Sequence, residues 1–297
     1  MKKIIISLFA FIVCMSINAQ TVKLYKGKLL VAEYPADQVD NVEFAQKSTK
    51  ISFSASIGGD NTTRTSSTDN NNIVWDANEN IDIYNTLNKT NGIFTSSEAS
   101  QGQNVATFTG PNITSDLGNK YYALYPSGTK FTNSIHQMSA TVPAVQPAVK
   151  GINHDYLFMT ACSDNQTLKF KNVTALLKIE IKSNAFTSIG TIRIESNNGE
   201  NIAGDFTAII NDNGTATITS ATSSSVAIRK TADGDGTTRL DPGIYYIAVL
   251  PSALKTGFTL YFEDTNNTKI YQRVNTRVLE FERSKLYDLG TYDVDKL

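Results

Sequence analysis

The chain of 297 residues contains few side chains whose types and spacing suit catalysis or metal binding. Its two histidines, His136 and His154, have no second histidine, cysteine or carboxylate at the spacing of a zinc site. Asp155 follows His154, but no Gly-x-Ser-x-Gly motif supplies a nucleophile. The carboxylates of a glycosidase need not be close in sequence, and no pair stands out. We therefore interpret both histidines as surface residues and predict that the protein is not an enzyme.

The segment Asp233-Gly234-Asp235-Gly236 alternates aspartate with glycine, as the start of a calcium loop does. An EF-hand loop also needs further oxygen ligands at alternating positions and a bidentate glutamate at its end. Thr237 offers an oxygen, but no closing glutamate follows it. A solvated turn is therefore the favoured interpretation. The chain also lacks a glycine-rich phosphate loop and a dinucleotide fingerprint, so neither a metal nor a cofactor is predicted.

Trp75, the one tryptophan of the chain, allows two interpretations. Exported β-proteins often stack a sugar on an aromatic side chain, which would make Trp75 a binding residue. Its neighbours Ile73 and Val74 instead favour a position in the core, because a strand with several large apolar residues packs them inside.

The first 19 residues have the order of a secretory signal peptide. A positive start at Lys2 and Lys3 precedes the apolar run from Ile4 to Val13, which is too short to span a bilayer. A small residue, Ala19, then precedes Gln20. We predict that residues 1–19 are removed after Ala19 and that the protein is exported.

The chain has two cysteines, and each has a rival interpretation. Cys14 could accept a lipid, but Val13 is larger than the small residue that normally precedes a lipoprotein cysteine, so lipidation there is disfavoured. Cleavage after Ala19 leaves Cys162 alone, so no intrachain disulfide is expected. In its apolar surroundings Cys162 is better explained as a small buried residue than as a nucleophile.

Composition excludes several classes of partner. Charged residues make up 19% of the chain and the net charge is −1, so no basic excess points to nucleic acid or to an anionic membrane surface. After the signal peptide, no apolar run is long enough to cross a membrane. Abundant Asn, Thr and Ser with frequent Tyr and Phe are typical of strands joined by polar turns.

Short runs of β-branched and aromatic residues, separated by polar turns, continue along the whole chain. Their spacing, without amphipathic helices, predicts an all-β protein of two antiparallel β-sandwich domains with Greek-key connections. We expect a short β-element over residues 20–46, a first sandwich over 47–172 and a second over 173–297. The similarity of Tyr121–Ser127 to Tyr245–Ser252 supports two related domains.

Three connections between the predicted strands have distinct character. Residues 58–72 are almost wholly Gly, Ser, Thr, Asn and Asp, and are predicted to form a polar loop around Arg64. The prolines at 143 and 147 predict an extended excursion over residues 133–151 rather than a central strand. Asn211-Asp212-Asn213-Gly214 predicts a tight hairpin turn, because Asn-Gly tolerates positive φ.

The order and spacing of several segments resemble the fimbrillin family, the type V pilins of Gram-negative anaerobes. The matching segments, which lie between Lys50 and Leu297, are Thr63–Thr65, Trp75, Ile81–Tyr84, Tyr121–Ser127, Ala140–Gln146, Phe170–Val173, Leu176–Ile179, Tyr246–Pro251 and Gly257–Leu260. The resemblance implies two transthyretin-like sandwiches that assemble by strand exchange. In that family the precursor is usually a lipoprotein, and an arginine-specific protease removes the leading strand.

Transferred to this chain, the resemblance makes Arg64 the candidate processing site. The groove left by the removed strand is filled by a terminal strand of another subunit, through pairing of backbone groups. Six residues of the two C-terminal strands are candidate donors: Val278, Leu279, Phe281, Leu286, Leu289 and Tyr292. The poor lipidation signal at Cys14 and the additional element at 20–46 depart from the family pattern.

These observations lead to two hypotheses about function. The first is a non-catalytic pilus subunit or adhesin whose partners are other pilin-like subunits or copies of itself. We expect it at the cell surface, in the outer membrane or in a fimbrium. The second is a monomeric surface protein that binds host surfaces or glycans through exposed aromatics such as Trp75 or the tyrosine-rich strands. An enzyme has little support, and fold alone does not decide between the others.

Overall fold

The structure, a computed structural model, describes residues 4–7, 21–39, 42–45, 48–58, 74–128, 130–131, 136–185, 188–230 and 238–297. Contacts divide the chain into two compact units, Met1–Lys50 and Ile51–Leu297. The described helices are short 3-10 turns, and none has the length and hydropathy needed to cross a membrane. The sequence prediction of an all-β protein is confirmed.

The first unit contains two small pairs of strands. Its strands are β1 (Ile4–Ser7), β2 (Thr21–Lys26), β3 (Leu29–Pro35) and β4 (Val42–Ala45). β1 pairs with β4 in parallel, and β2 forms an antiparallel hairpin with β3. Leu24 is the buried apolar residue of the hairpin, and Lys23 contacts Glu33 across it at 3.3 Å. The short β-element predicted for residues 20–46 therefore forms strands. β1 lies within the predicted signal peptide, whose removal stays a prediction.

The second unit begins with a closed seven-stranded barrel, in the order β13-β14-β5-β8-β7-β6-β9. Its strands are β5 (Lys50–Ile57), β6 (Asn80–Asn85), β7 (Thr90–Ser96), β8 (Val105–Pro111), β9 (Tyr121–Tyr125), β13 (Met159–Ser163) and β14 (Thr167–Asn172). β13 pairs antiparallel with both β9 and β14, and β14 pairs in parallel with β5. Closure leaves this sheet with no free edge.

Aromatic side chains fill the barrel, as the alternating pattern of its strands predicts. The Trp75 ring packs edge-on against Phe108 at 5.0 Å and Phe170 at 5.5 Å, measured between ring centroids. Its indole Nε1 donates a hydrogen bond to the Ala55 carbonyl at 3.1 Å, so the polar atom is satisfied inside the core. Phe53 packs edge-on against Phe94 at 5.1 Å. Burying each such side chain contributes roughly 1.5–3 kcal/mol to stability.

A second apolar core is enclosed by four further sheets. Their orders are β10-β11-β17-β18, β12-β19-β16-β22-β23, β20-β15-β25 and β21-β24. The strands are β10 (Lys130–Phe131), β11 (Gln137–Val142), β12 (Val145–Pro147), β15 (Ala175–Ser183), β16 (Ile189–Ser196), β17 (Ala203–Ile210), β18 (Ala216–Ser223), β19 (Ser225–Arg229), β20 (Gly243–Val249), β21 (Ser252–Leu254), β22 (Phe258–Asp264), β23 (Lys269–Asn275), β24 (Leu279–Phe281) and β25 (Leu286–Asp293).

The proline-containing segment differs from its prediction. β11 lies between β10 and β17 inside a sheet, and β12 pairs in parallel with β19. The prediction of an excursion without a central strand was wrong because β11 ends before Pro143 and contains no proline itself. Pro147 ends β12 at a sheet edge, where a missing N–H costs no ladder bond. Residues 137–147 thus pair with strands beyond Asn172, and the division into domains at 172 stays a prediction.

The predicted hairpin turn at Asn211–Gly214 is confirmed, and it joins the second core to the barrel. The Asn211 N–H donates to the Thr215 carbonyl at 2.7 Å, closing the turn between β17 and β18. The Thr160 hydroxyl of β13 donates to the Gly214 carbonyl at 2.8 Å in a buried contact. Lys120 and the Tyr122 hydroxyl both donate to the Asp212 carboxylate, at 2.7 and 2.8 Å. The Lys120 ammonium holds the pKa of Asp212 below its usual range.

Gly214 is required in this turn for two reasons, which substitution can separate. Its φ is +82°, and an added Cβ would lie 3.0 Å from the Cys162 nitrogen. Gly199 has a similar φ of +79° but open space around it. We expect Gly199→Ala to cost about 1–2 kcal/mol for the left-handed conformation, and Gly214→Ala to cost roughly 1–3 kcal/mol more from overpacking.

Urea unfolding of both variants measures the difference in free energy. Equal losses of stability for the two glycines would show that the turn does not need its close approach to β13.

Candidate functional site

The first strand of the barrel, β5, lies between β14 and β8 and is the strand that precedes Arg64. Phe53 and Ala55 point from it into the core and are 1% and 0% exposed. The Ser54 N–H donates to the Gln166 carbonyl and the Gly58 N–H to the Phe170 carbonyl, both at 2.8 Å. The barrel therefore depends on β5 for apolar packing and for backbone pairing.

Arg64 and Cys14 lie outside the described residues. Residues 58–74 connect the end of β5 at Ile57 to Trp75. A cut at Arg64 would separate β5 covalently from the rest of the barrel while leaving the other six strands connected.

The predicted donor strands lie in the second core. β24 pairs antiparallel with β21, and β25 forms the edge of a three-stranded sheet through parallel pairing with β15. The six candidate donor residues have different environments: Val278 is 77% exposed, Leu279, Leu286 and Leu289 are half-buried, and Phe281 and Tyr292 are buried. In the structure, the strands that carry these residues pair with other strands of their own subunit, β24 with β21 and β25 with β15.

Polar contacts hold β25 against β15. Lys178 donates to the Asp288 carboxylate at 2.9 Å, and the Thr291 hydroxyl donates to Glu180 at 2.6 Å. The hydrogen bond from Lys178 lowers the pKa of Asp288. Because both side chains of the ion pair are partly exposed, its contribution to stability is small. Backbone hydrogen bonds and the burial of Tyr292 therefore stabilise the pairing of β25 with β15 more than the ion pair does.

A groove of about 440 Å³ separates β25 from β23, the edge strand of the neighbouring sheet. We call it the edge groove; its lining consists of Phe258, Leu260, Arg273, Val274, Asn275, Thr276, Arg277, Asp288, Leu289 and Tyr292. The Arg273 guanidinium donates to the Tyr292 hydroxyl at 3.0 Å across it. The groove therefore lies between the edge strands of two sheets, and sheet edges are where strand addition takes place.

The described residues that the sequence offers for binding or catalysis, Trp75 and His136, do not form a site together. Trp75 is fully buried, which confirms its core position and excludes it as a sugar-stacking residue. His136 is exposed, and its ring centroid lies 6.0 Å from that of Tyr122. The side chain of His154 and the segment Asp233–Gly236 are outside what the structure describes. Among the described residues, no group of three or more His, Cys, Asp or Glu side chains is placed to hold a metal ion.

Cys162 of β13 is half-buried and lies next to the turn that contains Gly214. Burial is the largest influence on its thiol and raises its pKa. The nearby Lys120 ammonium acts in the opposite direction but does not compensate for burial. Since the thiolate is the reactive form of cysteine, this environment suits a packed side chain rather than a nucleophile.

No family model and no curated protein matches the sequence. Among solved structures, a candidate cell adhesion protein from Bacteroides uniformis is similar, with 17% identity, a TM-score of 0.51 and coverage of 88% of this chain and 95% of that one. A candidate cell adhesion protein from Bacteroides ovatus has 13% identity, a TM-score of 0.47 and coverage of 80% and 92%. The tip fimbrial protein Mfa3 from Porphyromonas gingivalis has 7% identity, a TM-score of 0.35 and coverage of 82% and 96%.

The similarity to the Bacteroides uniformis protein establishes the fold of this chain and nothing further, because the identity is only 17%. The all-β class predicted from the sequence is therefore confirmed by comparison as well as by the strands themselves. The fold shared with the Bacteroides uniformis protein agrees with the all-β fold that the fimbrillin resemblance implies.

The environment of Cys162 predicts slow alkylation. At pH 8 a thiol with a raised pKa is ionised to a smaller fraction than an ordinary cysteine. This difference in the thiolate fraction shrinks as the pH rises through the raised pKa. We expect iodoacetamide to modify Cys162 several-fold more slowly in the folded protein than in 6 M guanidinium, with peptide mass spectrometry as the measurement. A folded rate equal to or above the denatured rate would instead identify an activated thiolate.

Proposed function

We propose that this protein is an exported, non-catalytic subunit of a surface fibre, or an adhesin, that assembles by exchange of β-strands. The observation that supports the proposal best is the position of β5. It is the first strand of a closed barrel, lies between two other strands, and is followed by the polar segment that contains Arg64.

Loss of β5 would create a slot with a defined chemistry. The slot would expose the packing positions of Phe53 and Ala55, together with backbone groups of Gln166 and Phe170 that β5 now satisfies. Unpaired backbone groups that are buried cost free energy comparable to a lost hydrogen bond. A strand with an apolar residue at every second position, supplied by another subunit, would restore both kinds of contact.

β25 is our proposed donor. Among the strands of the second core it lies nearest the C-terminus, it occupies a sheet edge, and most of its side chains are only half-buried. Its release would also widen the edge groove, since Leu289 and Tyr292 line that groove. Phe281 of β24 is fully buried and packs against Phe258 at 6.1 Å and against Tyr287 of β25 at 5.2 Å. We therefore place β24 second to β25 as a candidate donor.

The fold also bears on location and partners. We propose that the mature protein is displayed at the cell surface, and that its partners are pilin-like subunits or further copies of itself. The fold shared with a candidate adhesion protein supports this, as do the signal-peptide pattern of residues 1–19 and the low net charge of −1.

Cleavage at Arg64 is the first test. We expect a trace of arginine-specific protease to cut the purified protein after Arg64 and to produce ladders on unheated detergent gels, because the slot left by β5 recruits a second subunit. Arg64→Lys keeps the charge but removes the protease site, and should remain intact and monomeric. A protein cut at Arg64 that stays monomeric would contradict strand exchange, and an uncut wild-type protein would exclude Arg64 as the trigger.

A peptide tests the donor. A synthetic copy of Leu286–Asp293 in excess should cap the cut barrel and shorten the ladders, whereas a scrambled peptide of the same composition should not. Ladder length on the gel is the measurement, with size-exclusion chromatography as a second readout. Ladders of unchanged length in the presence of the native peptide would mean that β25 is not the donor.

A further inference from the structure

A second cavity, of about 600 Å³, lies beside the sheet β10-β11-β17-β18. We call it the hydroxyl cleft; its lining consists of Pro126, Ser127, Gly128, Ser139, Ala140, Thr141, Phe158, Asp205, Phe206, Thr207, Ser220 and Thr222. Its volume lies within the range of roughly 300–1,000 Å³ that is usual for small-molecule sites. None of its lining residues belongs to β5 or β25, so it is separate from the proposed assembly strands.

Two rows of small polar side chains run across three neighbouring strands in this cleft. Residues directly opposite in an antiparallel pair share a face of the sheet. Ser139 pairs with Thr207, and Thr207 pairs with Ser220, which defines the first row. The second row begins with Thr141 and Asp205, whose side chains are joined by a hydrogen bond of 2.5 Å from the threonine hydroxyl.

A β-bulge completes the second row. Between the pairs Ala203–Ser223 and Phe206–Ala221, Gly204 and Asp205 together oppose Thr222. Gly204 has φ +87°, and a Cβ there would lie 2.3 Å from the Thr222 hydroxyl oxygen. Glycine thus lets the two strands approach closely enough to place Thr222 beside Asp205. Bulges often direct side chains toward binding sites in this way.

Ser127 and Gly128, which also line the cleft, are held in place by hydrogen bonds. The Asp82 carboxylate accepts hydrogen bonds from the Ser127 hydroxyl at 3.2 Å and from the Gly128 N–H at 2.8 Å. Phe158 and Phe206, whose ring centroids are 5.5 Å apart, supply the apolar part of the lining. The cleft therefore combines apolar wall surface with several hydroxyl side chains and one carboxylate.

We propose that the hydroxyl cleft binds a neutral, hydroxyl-rich ligand, namely a short uncharged glycan. Hydroxyl side chains both donate and accept, which matches the hydroxyls of a sugar, and the Asp205 carboxylate adds a stronger acceptor. Asp205 is the charged residue of the lining, and no described lining residue is cationic, so the cleft disfavours sulfated, phosphorylated or sialylated ligands.

This assignment goes beyond assembly, because it names a ligand for the displayed subunit. It also differs from the earlier hypothesis of sugar stacking on Trp75, which the burial of Trp75 excludes. Recognition in the cleft rests on hydrogen bonds and on one carboxylate rather than on an aromatic platform.

The test uses the full, uncut protein. A printed array of uncharged oligosaccharides of glucose, galactose, mannose and N-acetylglucosamine, with sialylated and sulfated counterparts, identifies the best glycan, and titration calorimetry then measures its affinity. Two variants probe the cleft: Asp205→Ala, and the double variant Thr141→Val/Thr222→Val, which keeps side-chain shape. Thr107→Val, on the exposed face of β8, is the matched control.

We expect the wild-type protein to bind neutral glycans, each cleft variant to weaken binding at least about tenfold, and Thr107→Val to leave it unchanged. Circular dichroism and a thermal melt confirm that each variant is folded, and the double variant decides the matter if Asp205→Ala is unfolded. Absence of glycan binding up to 10 mM ligand, a preference for anionic glycans, or unchanged affinity in folded cleft variants would each overturn the proposal. Gel ladders after cleavage at Arg64 report on assembly separately, so the failure of either proposal is distinguishable from that of the other.

Discussion

The barrel of the second unit depends on β5, because a closed sheet cannot lose one strand without exposing two edges at once. β5 contributes Phe53 and Ala55 to the core and pairs on one side with β14 in parallel. A parallel pair needs a long connection between its strands, and here all the intervening barrel strands lie between β5 and β14 in sequence. β5, the first barrel strand in sequence, therefore pairs with β14, the last one. This pair, which closes the barrel, has the longest sequence separation of any strand pair within it.

That closure could not be predicted from the sequence, although many strands could. Alternating apolar residues at Ile51, Phe53 and Ala55 predict a strand, and the Asn-Gly pair before Thr215 predicts a hairpin. Both features are local, and both are present in the structure. The parallel partners of β5 and β25 are not local: a side-chain period of two shows which residues face the core but not which strand lies alongside.

The same limit applies to the candidate sites. The apolar neighbours of Trp75 correctly predict its burial. The two prolines of residues 133–151 wrongly predict an excursion, because β11 ends before Pro143 and pairs with β17. The sequence does not predict the hydroxyl cleft, because most residues of its two polar rows are threonines and serines on three separate strands. Only the register of β11, β17 and β18, with the bulge at Gly204, brings them opposite one another. The sequence offers one signal, Gly204 inside the strand pattern before Asp205, because a glycine within a strand often marks a bulge.

The junction between the barrel and the second core shows which kind of interaction holds the larger unit together. The Lys120–Asp212 pair is largely exposed, so salt screens it and its contribution is small. The Thr160–Gly214 hydrogen bond is buried, and the close approach of Gly214 to Cys162 leaves no room for a side chain between the two elements. A hydrogen bond shielded from water and a contact of fitted shape do not weaken with ionic strength. The junction is thus held chiefly by packing and by this buried hydrogen bond, so its stability should depend little on the salt concentration.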